Sequence, residues 1–470
     1  MKNISRKHNS SFPTKALVLA CGLYASVTAN AMSLPELWEL AQSNAPAMHI
    51  ATATRHAGDS RKSQARALWR PDVTLTGSAG YGDMSSDVRG AQFSAPGFGQ
   101  SDSVRFGTDA NRARTGSWGV QVTQPLLDPQ RTATKQLLDI SATEAELQWR
   151  VARDALMLDV ISSYFQLALA SQKLRVLKQQ QEAVEHILKE TKERFRLGDS
   201  PITDVHEAEA RAQAVQAQVL VAETDLNLRQ HDLINLTQVS LPPDIARLPQ
   251  ELQAAPAVGE MEPWHSRAMR HNPKVLLLEQ NVAAVSQQVK RLGPLDGTTL
   301  DLVLKAGGEH SNGQGAAERV VNHGRQAWVG LQLTIPLSTS GLRSAQQSEA
   351  IHALSKAQAE QQLARQQIMQ EVRTAWLGLT AGSGRVKALD AAALASQAQL
   401  DATRVGLRAG DRNTLDLLNA EHERAAALLS LDEARVQLTM HRLRLDALTG
   451  QLTDASLAWA WDQTSGHAAP

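Results

Sequence analysis

The feature that most constrains this chain is a pattern that occurs twice in the same order. Segment 119–126 (GVQVTQPL) recurs as segment 330–337 (GLQLTIPL), with five of eight positions identical and two Val/Leu exchanges. Segment 198–204 (GDSPITD) has its counterpart in 410–416 (GDRNTLD), at almost the same separation. Repetition at one fixed spacing is the signature of repeated structural units. The sequence therefore predicts an internal tandem duplication.

Each copy is predicted to contain a helix, a strand, a loop, a second strand, a long helix, a turn and a returning helix. Alternation of apolar with small polar residues predicts the strands. Segments 82–115 and 309–325, rich in Gly, Ser, Asp and Asn, are predicted to be exposed loops between them. The predicted strands are about 72–81 and 117–125 in the first copy, and about 298–307 and 326–335 in the second.

The helical parts are predicted to form long hairpins. Nothing interrupts a helix between residues 129 and 197, a span of ~100 Å at ~1.5 Å per residue. Apolar positions spaced by three and four residues follow in 205–236 and again in 417–448. Such a seam predicts coiled-coil packing. The hairpin tips are predicted near 198–201 and 410–413, where Gly198 and Gly410 are expected to end the outgoing helices in a left-handed conformation. Ser200 is expected to cap the returning helix and Pro201 to be its first residue.

The N-terminus has the order of a secretory signal peptide: basic residues, an apolar stretch at 16–27, and Ala29-Asn30-Ala31 before the cut. Cys21, the only cysteine, also allows a lipoprotein cleavage site, and this alternative stays open.

The predicted division of the chain is signal peptide 1–31, first repeat 32–238, linker 239–262, second repeat 263–450 and C-terminal tail 451–470.

Composition excludes several classes of function. The 48 basic and 48 acidic residues balance, so no excess of positive charge favours nucleic acid. No phosphate-binding Gly-x-x-x-x-Gly-Lys-Ser/Thr motif occurs, and the 14 His lack metalloprotease spacing. We expect no enzyme activity, no cofactor and no metal site.

Four strands of about ten residues with alternating polarity match the weak signature of an outer-membrane β-barrel. A barrel that crosses a membrane must close, and four strands are too few to do so. Several chains are therefore expected to share one barrel. Three chains would give 12 strands, which suits a pore better than the eight strands of two chains.

The duplicated plan, the Gly-x-Gln-x-Thr-x-Pro-Leu strand ends and the Gly-Asp tips resemble the TolC-type outer-membrane efflux and type I secretion channels, from about residue 34 to 450. The resemblance implies an α+β membrane protein: a homotrimer whose 12-stranded β-barrel lies in outer-membrane lipid and continues into a long α-helical coiled-coil barrel in the periplasm. It also implies two partners, a periplasmic adaptor (membrane fusion) protein and an inner-membrane ABC or proton-driven transporter.

The same resemblance assigns roles at the tips. Asp204 and Arg412 correspond to the acidic and basic partners of a link that closes the periplasmic entrance, and Asp416 to a ring of acidic residues around the axis. Leu407 stands where the family often has a tyrosine, and Asn419 replaces a second ring carboxylate. The expected adaptor contact at the hairpin tips comprises Gly198, Asp199, Ser200, Gly410 and Asp411.

Simpler interpretations stay open for these residues. Asp204 and Asp416 are also first-turn acids of the kind that a helix dipole favours, and Asn413 with Asp416 resembles a capping box. Trp118 and Trp328 are either interfacial anchors or packed against a neighbouring strand.

The predicted function is a passive exit duct of a tripartite export system for a secreted protein or for small molecules. The alternative is a non-conducting, periplasm-spanning coiled-coil protein.

Overall fold

A computed structural model describes residues 33–97, 99–241, 245–249, 259–293, 297–314, 319–337 and 340–465. The predicted signal peptide and Cys21 lie outside these residues, as does part of the predicted linker. The elements in chain order are α1 (Leu34–Asn44), α2 (Pro46–Ala67), β1 (Asp72–Ala95), β2 (Gly99–Leu127), α3 (Pro129–Leu197), α4 (Ile202–Thr237), α5 (Met261–His271), α6 (Pro273–Arg291), β3 (Thr299–Gln314), β4 (Arg319–Thr334), α7 (Leu342–Ala409), α8 (Thr414–Leu448) and α9 (Asp454–Ser465).

Two helices dominate the molecule. Helices α3 and α7 run unbroken for 69 and 68 residues, or ~100 Å each. Asp128 caps α3 by accepting the backbone N–H of Arg131 at 2.9 Å, and Pro129 fills the first position, where its missing N–H costs nothing. The helix ends at Gly198, so the predicted unbroken helix over 129–197 is confirmed. Helix α3 packs on α4 and α7 on α8, which gives two long hairpins.

The four strands form one antiparallel sheet in the order β1-β2-β3-β4. Residues paired across neighbouring strands project from the same face, so the register defines the composition of each face. One face is apolar. Two successive rows across it are Val73, Val122, Leu304 and Val329, and then Leu75, Val120, Ala306 and Ala327.

The opposite face of the sheet is polar or small. Its matching rows are Thr74, Gln121, Lys305 and Trp328, and then Thr76, Gly119, Gly307 and Gln326. The apolar face is not covered within the chain: Leu75 is 75% exposed and Leu331 is 63% exposed. The sheet therefore has two faces of opposite polarity, and its large apolar side chains lie in the open.

The strands are much longer than the sequence predicted, and the predicted loops 82–115 and 309–325 are mostly strand. Gly, Ser, Asp and Asn are poor strand formers. They are nevertheless in strands here, because the backbone pairing of each hairpin continues outward from the apolar rows through these segments. Register shifts between Gly82 and Met84, and again beyond Val88, absorb the local irregularity.

The two tryptophans of the sheet have different surroundings. Trp118 lies on the apolar face against Gly308 of the next strand, where an added Cβ would stand 2.8 Å from the indole nitrogen. Trp328 lies on the polar face, 5.8 Å from the Lys305 ammonium and directly over Gly330. Trp118 thus packs against a neighbouring strand, while 56% of it stays exposed on the apolar face.

The main core lies at the middle of α3, where α1, α9 and the C-terminal parts of α4 and α8 meet. Tyr164 of α3 is buried there, and its hydroxyl accepts the backbone N–H of Arg247 at 3.0 Å. Leu241 and Ile245 from the predicted linker pack into this core. The predicted C-terminal tail also contributes, because it contains α9 with the buried Leu457 and Ala460.

A carboxyl group beside this core gives a pH-dependent prediction. Burial raises the pKa of Asp154 in α3 from 3.8 to about 6, against the opposing attraction of Arg153 and Arg150. The folded chain then binds more protons than the unfolded chain between those values, so the stability falls as the pH rises through about 6. We expect Asp154→Asn to raise the melting temperature at pH 8 and to raise it about half as much at pH 5, as followed by circular dichroism.

The matched control is Asp139→Asn, an exposed carboxylate on the same helix. Its effect on the melting temperature should be small at both pH values. An equal gain for Asp154→Asn at pH 5 and pH 8, or a loss at pH 8, would contradict the assigned cause.

Candidate gate at the tips of the helical hairpins

Both hairpins reverse direction through the same backbone motif. Gly198 has a left-handed φ of 86°, its N–H donates to the carbonyl of Phe195 at 3.0 Å, and the N–H of Asp199 donates to Arg194 at 2.8 Å. This pair of bonds is a Schellman motif, which needs a residue that tolerates positive φ. The predicted role of Gly198 as a left-handed helix terminator is confirmed.

The second tip repeats this geometry. Gly410 has a φ of 80°, its N–H donates to Leu407 at 3.3 Å, and the N–H of Asp411 donates to Gly406 at 2.9 Å. A methyl group on Gly406 would overlap the Arg412 side chain, since an added Cβ would stand 2.8 Å from its Cγ. Arg412 therefore folds back over the end of α7.

The start of α4 differs from the prediction by one residue. Pro201 is the N-cap rather than the first helical residue, and no side chain caps the backbone there. The Ser200 hydroxyl instead donates to the Asp204 carboxylate at 3.0 Å. The Ser200 hydroxyl bonds to the carboxylate rather than to a backbone N–H because a hydrogen bond to a carboxylate is stronger than one between neutral groups.

The start of α8 has the predicted capping box. The Asn413 side chain accepts the backbone N–H of Asp416 at 2.7 Å, and the Asp416 carboxylate accepts the N–H of Asn413 at 3.1 Å. Asp416 thus stabilises the start of α8, separately from any effect of its charge at the tip. Both tip carboxylates, Asp204 and Asp416, are held in place by the first turn of their own helix.

The predicted link between Asp204 and Arg412 is not formed within the described residues of a single chain. The two hairpins are joined instead through Asn419, whose side-chain oxygen accepts a 3.4 Å hydrogen bond from Arg211 of α4. Arg211 was not among the residues predicted from the sequence. It lies seven residues after Asp204, two turns along the same side of the helix, and this spacing is the signal that could have identified it.

Beneath these polar contacts, all four long helices share an apolar cluster, which we call the tip cluster. It fixes α4 against α8 and therefore sets the position of one tip relative to the other. Leu407, at the position of the expected tyrosine, packs at its border. The buried members are Val184, Ile187, Ala208, Ala212, Val215, Leu400, Leu417, Leu418 and Ala420.

Each hairpin is also closed by an ion pair at an equivalent place. Lys192 of α3 pairs with Glu209 of α4 at 2.8 Å, and Arg404 of α7 pairs with Glu421 of α8 at 2.5 Å. The hydrogen bond and charge of Lys192 hold the pKa of Glu209 below its usual value. Glu421 is only 4% exposed, so Arg404 offsets the cost of burying its charge.

No described helix is long and apolar enough to cross a membrane. Within the described ranges, no group of three or more His, Cys, Asp or Glu side chains lies close enough together to hold a metal ion.

Comparisons with known proteins agree with this architecture. The sequence model of the family described as outer membrane efflux protein matches residues 37–238 and 264–451. The outer membrane protein TolC of Vibrio cholerae is 25% identical, over 90% of this chain and 92% of that protein. The proteases secretion protein PrtF of Dickeya chrysanthemi is 26% identical, over 93% of each chain.

A solved structure shows the same fold. The CmeC outer membrane channel of Campylobacter jejuni superposes with a TM-score of 0.68, covering 97% of this chain and 98% of that one, at 14% identity. Because the family model matches two stretches that together span most of the chain, the chain belongs to the outer membrane efflux protein family.

Proposed function

We propose that three copies of this outer-membrane export channel close one 12-stranded barrel, continuous with a helical barrel that spans the periplasm. The observation that carries the proposal is the four-stranded sheet, which has one apolar face, one polar face and two open edges. A sheet in lipid cannot leave edge N–H and C=O groups unpaired. Pairing β1 of one copy with β4 of the next removes both edges.

The polarity of the faces supports a conducting barrel. The exposed apolar rows suit lipid, and the rows containing Lys305, Thr76 and Gln326 suit a water-filled interior. Four strands each from three chains leave an open channel, whereas an eight-stranded barrel would be filled by its own side chains. The polar face therefore favours an exit duct over a non-conducting structural protein.

The two halves of the chain support the proposed duplication. Lys192 and Glu209 are each 212 residues before Arg404 and Glu421, and both pairs join a long helix to its returning helix. Asn44 and Asn272 add a second correspondence, because their side chains donate to the last turns of α4 and α8 at 3.1 and 3.0 Å. The proposed repeats are 32–238 and 263–450, joined by the linker 239–262.

The tips are proposed to form the periplasmic entrance. Because Asp204 and Arg412 are unlinked within one chain, their proposed partners are the matching residues of neighbouring copies. Three Asp416 carboxylates around the axis would favour cations at the mouth. The Gly198–Ser200 and Gly410–Asp411 turns are the proposed contact with a periplasmic adaptor.

The channel is proposed to be passive and to depend on an inner-membrane ABC or proton-driven transporter for energy. Its sequence contains no nucleotide-binding motif. A protein cargo is one candidate, since the similar PrtF is a proteases secretion protein. Small molecules are the other, and the polar inner face is compatible with both.

The assignment of faces predicts opposite outcomes for two adjacent substitutions on β4. Leu331→Arg places a charge on the apolar face and should destabilise the barrel by about 2–4 kcal/mol. Gln332→Arg, on the polar face, should change its stability by less than ~1 kcal/mol. Unfolding of the reconstituted protein by urea in lipid vesicles measures both. Equal effects of the two substitutions would refute the assignment.

The gate predicts how conductance responds to the tip residues. Purified protein in a planar bilayer should conduct weakly with a preference for cations. Asp204→Ala and Arg412→Ala should each raise the open fraction roughly tenfold to a hundredfold, because each removes three exposed ion pairs from the trimer and each pair contributes about 0.5–1 kcal/mol.

Asp199→Ala is the matched control, since it removes an exposed acid from the same tip but lies outside the proposed link. It should leave conductance unchanged. Absence of conductance in the wild type and in both variants would favour the periplasm-spanning structural protein.

A further inference from the structure

Two histidines face each other on the β3–β4 hairpin, far from the helices. His310 and His323 are direct partners in the register. Their rings lie 4.5 Å apart at an angle of 30°, and the two Nδ1 atoms are separated by 3.2 Å. With one ring protonated at Nδ1 and the other not, this contact is a simple hydrogen bond.

The same separation is the one that two imidazoles need to share a metal ion. Imidazole nitrogens bind Zn²⁺ at about 2.0–2.1 Å. Two such ligands at tetrahedral or square-planar angles are then about 2.9–3.4 Å apart. The 3.2 Å between the Nδ1 atoms falls inside this range.

The surroundings leave both rings accessible. His310 and His323 lie on the apolar face of the sheet but outward of its rows of large apolar side chains, and both are exposed. The residue opposite His310 on β2 is Gly116, which adds no side chain to crowd the site. The charged groups that share this face in neighbouring rows are Arg114 and Arg325. Both are cations, so neither competes as a ligand, and both lower the affinity for a positive ion.

We propose that His310 and His323 form a binding site for a divalent transition metal that prefers imidazole, with water completing the coordination. Zn²⁺ and Cu²⁺ are the ions of this class, and Cu²⁺ binds nitrogen ligands more tightly. On binding, the metal displaces the proton between the two Nδ1 atoms and the donor ring takes up a proton at Nε2, so both imidazoles stay neutral and no proton is released overall. The ion ties β3 to β4 near the outer end of the hairpin.

The test uses the full-length mature protein in detergent, stripped with chelator and titrated with Cu²⁺. Electron paramagnetic resonance should show a copper centre with two imidazole nitrogens. The double variant His310→Gln/His323→Gln should lose this centre, and each single variant should bind at least about tenfold more weakly. Circular dichroism and particle mass confirm that the variants keep the native assembly.

His352→Gln is the matched control, since it removes an exposed histidine from α7. It should retain the two-nitrogen signal. The proposal is overturned if the double variant binds Cu²⁺ with wild-type affinity and spectrum. It is equally overturned if the wild-type spectrum shows one imidazole or none.

Discussion

Backbone hydrogen bonding at the edges of the sheet is the constraint on which this structure depends. One chain supplies four strands in the order β1-β2-β3-β4, and the outer edges of β1 and β4 have no partner among its described residues. In water such edges invite aggregation, and in lipid they are intolerable. In the proposed barrel the exposed apolar rows, such as Val73 with Val122, face lipid, and further copies pair with the open edges.

Helices of ~100 Å need a different kind of support from a compact domain. Small residues in the seams of α4 and α8 let neighbouring helices approach closely, and the tip cluster locks all four long helices together at the far end. Ion pairs such as Lys192–Glu209 and Arg404–Glu421 close each hairpin above its tip. In the proposed gate, the exposed charges at the tips form links that break at small cost.

The sequence predicted those features that depend only on residues close together in the chain. The span of α3, the left-handed Gly198 and the Asn413–Asp416 capping box follow from residues within one turn of each other. The length of the strands did not, because ladder pairing extends into segments whose composition suggests loops. The contacts Arg211–Asn419 and His310–His323 were also missed, since they depend on helix packing and strand register that no single segment contains.

The central claim, that three chains close one barrel, is tested most directly by the mass of the assembled particle. Native mass spectrometry of the mature protein, released from detergent, counts the chains without assuming any structure. We expect a particle of three chains, because their twelve strands leave no open edge. A particle of one chain would contradict shared closure altogether, and a particle of two would replace the open channel with an eight-stranded barrel filled by its own side chains.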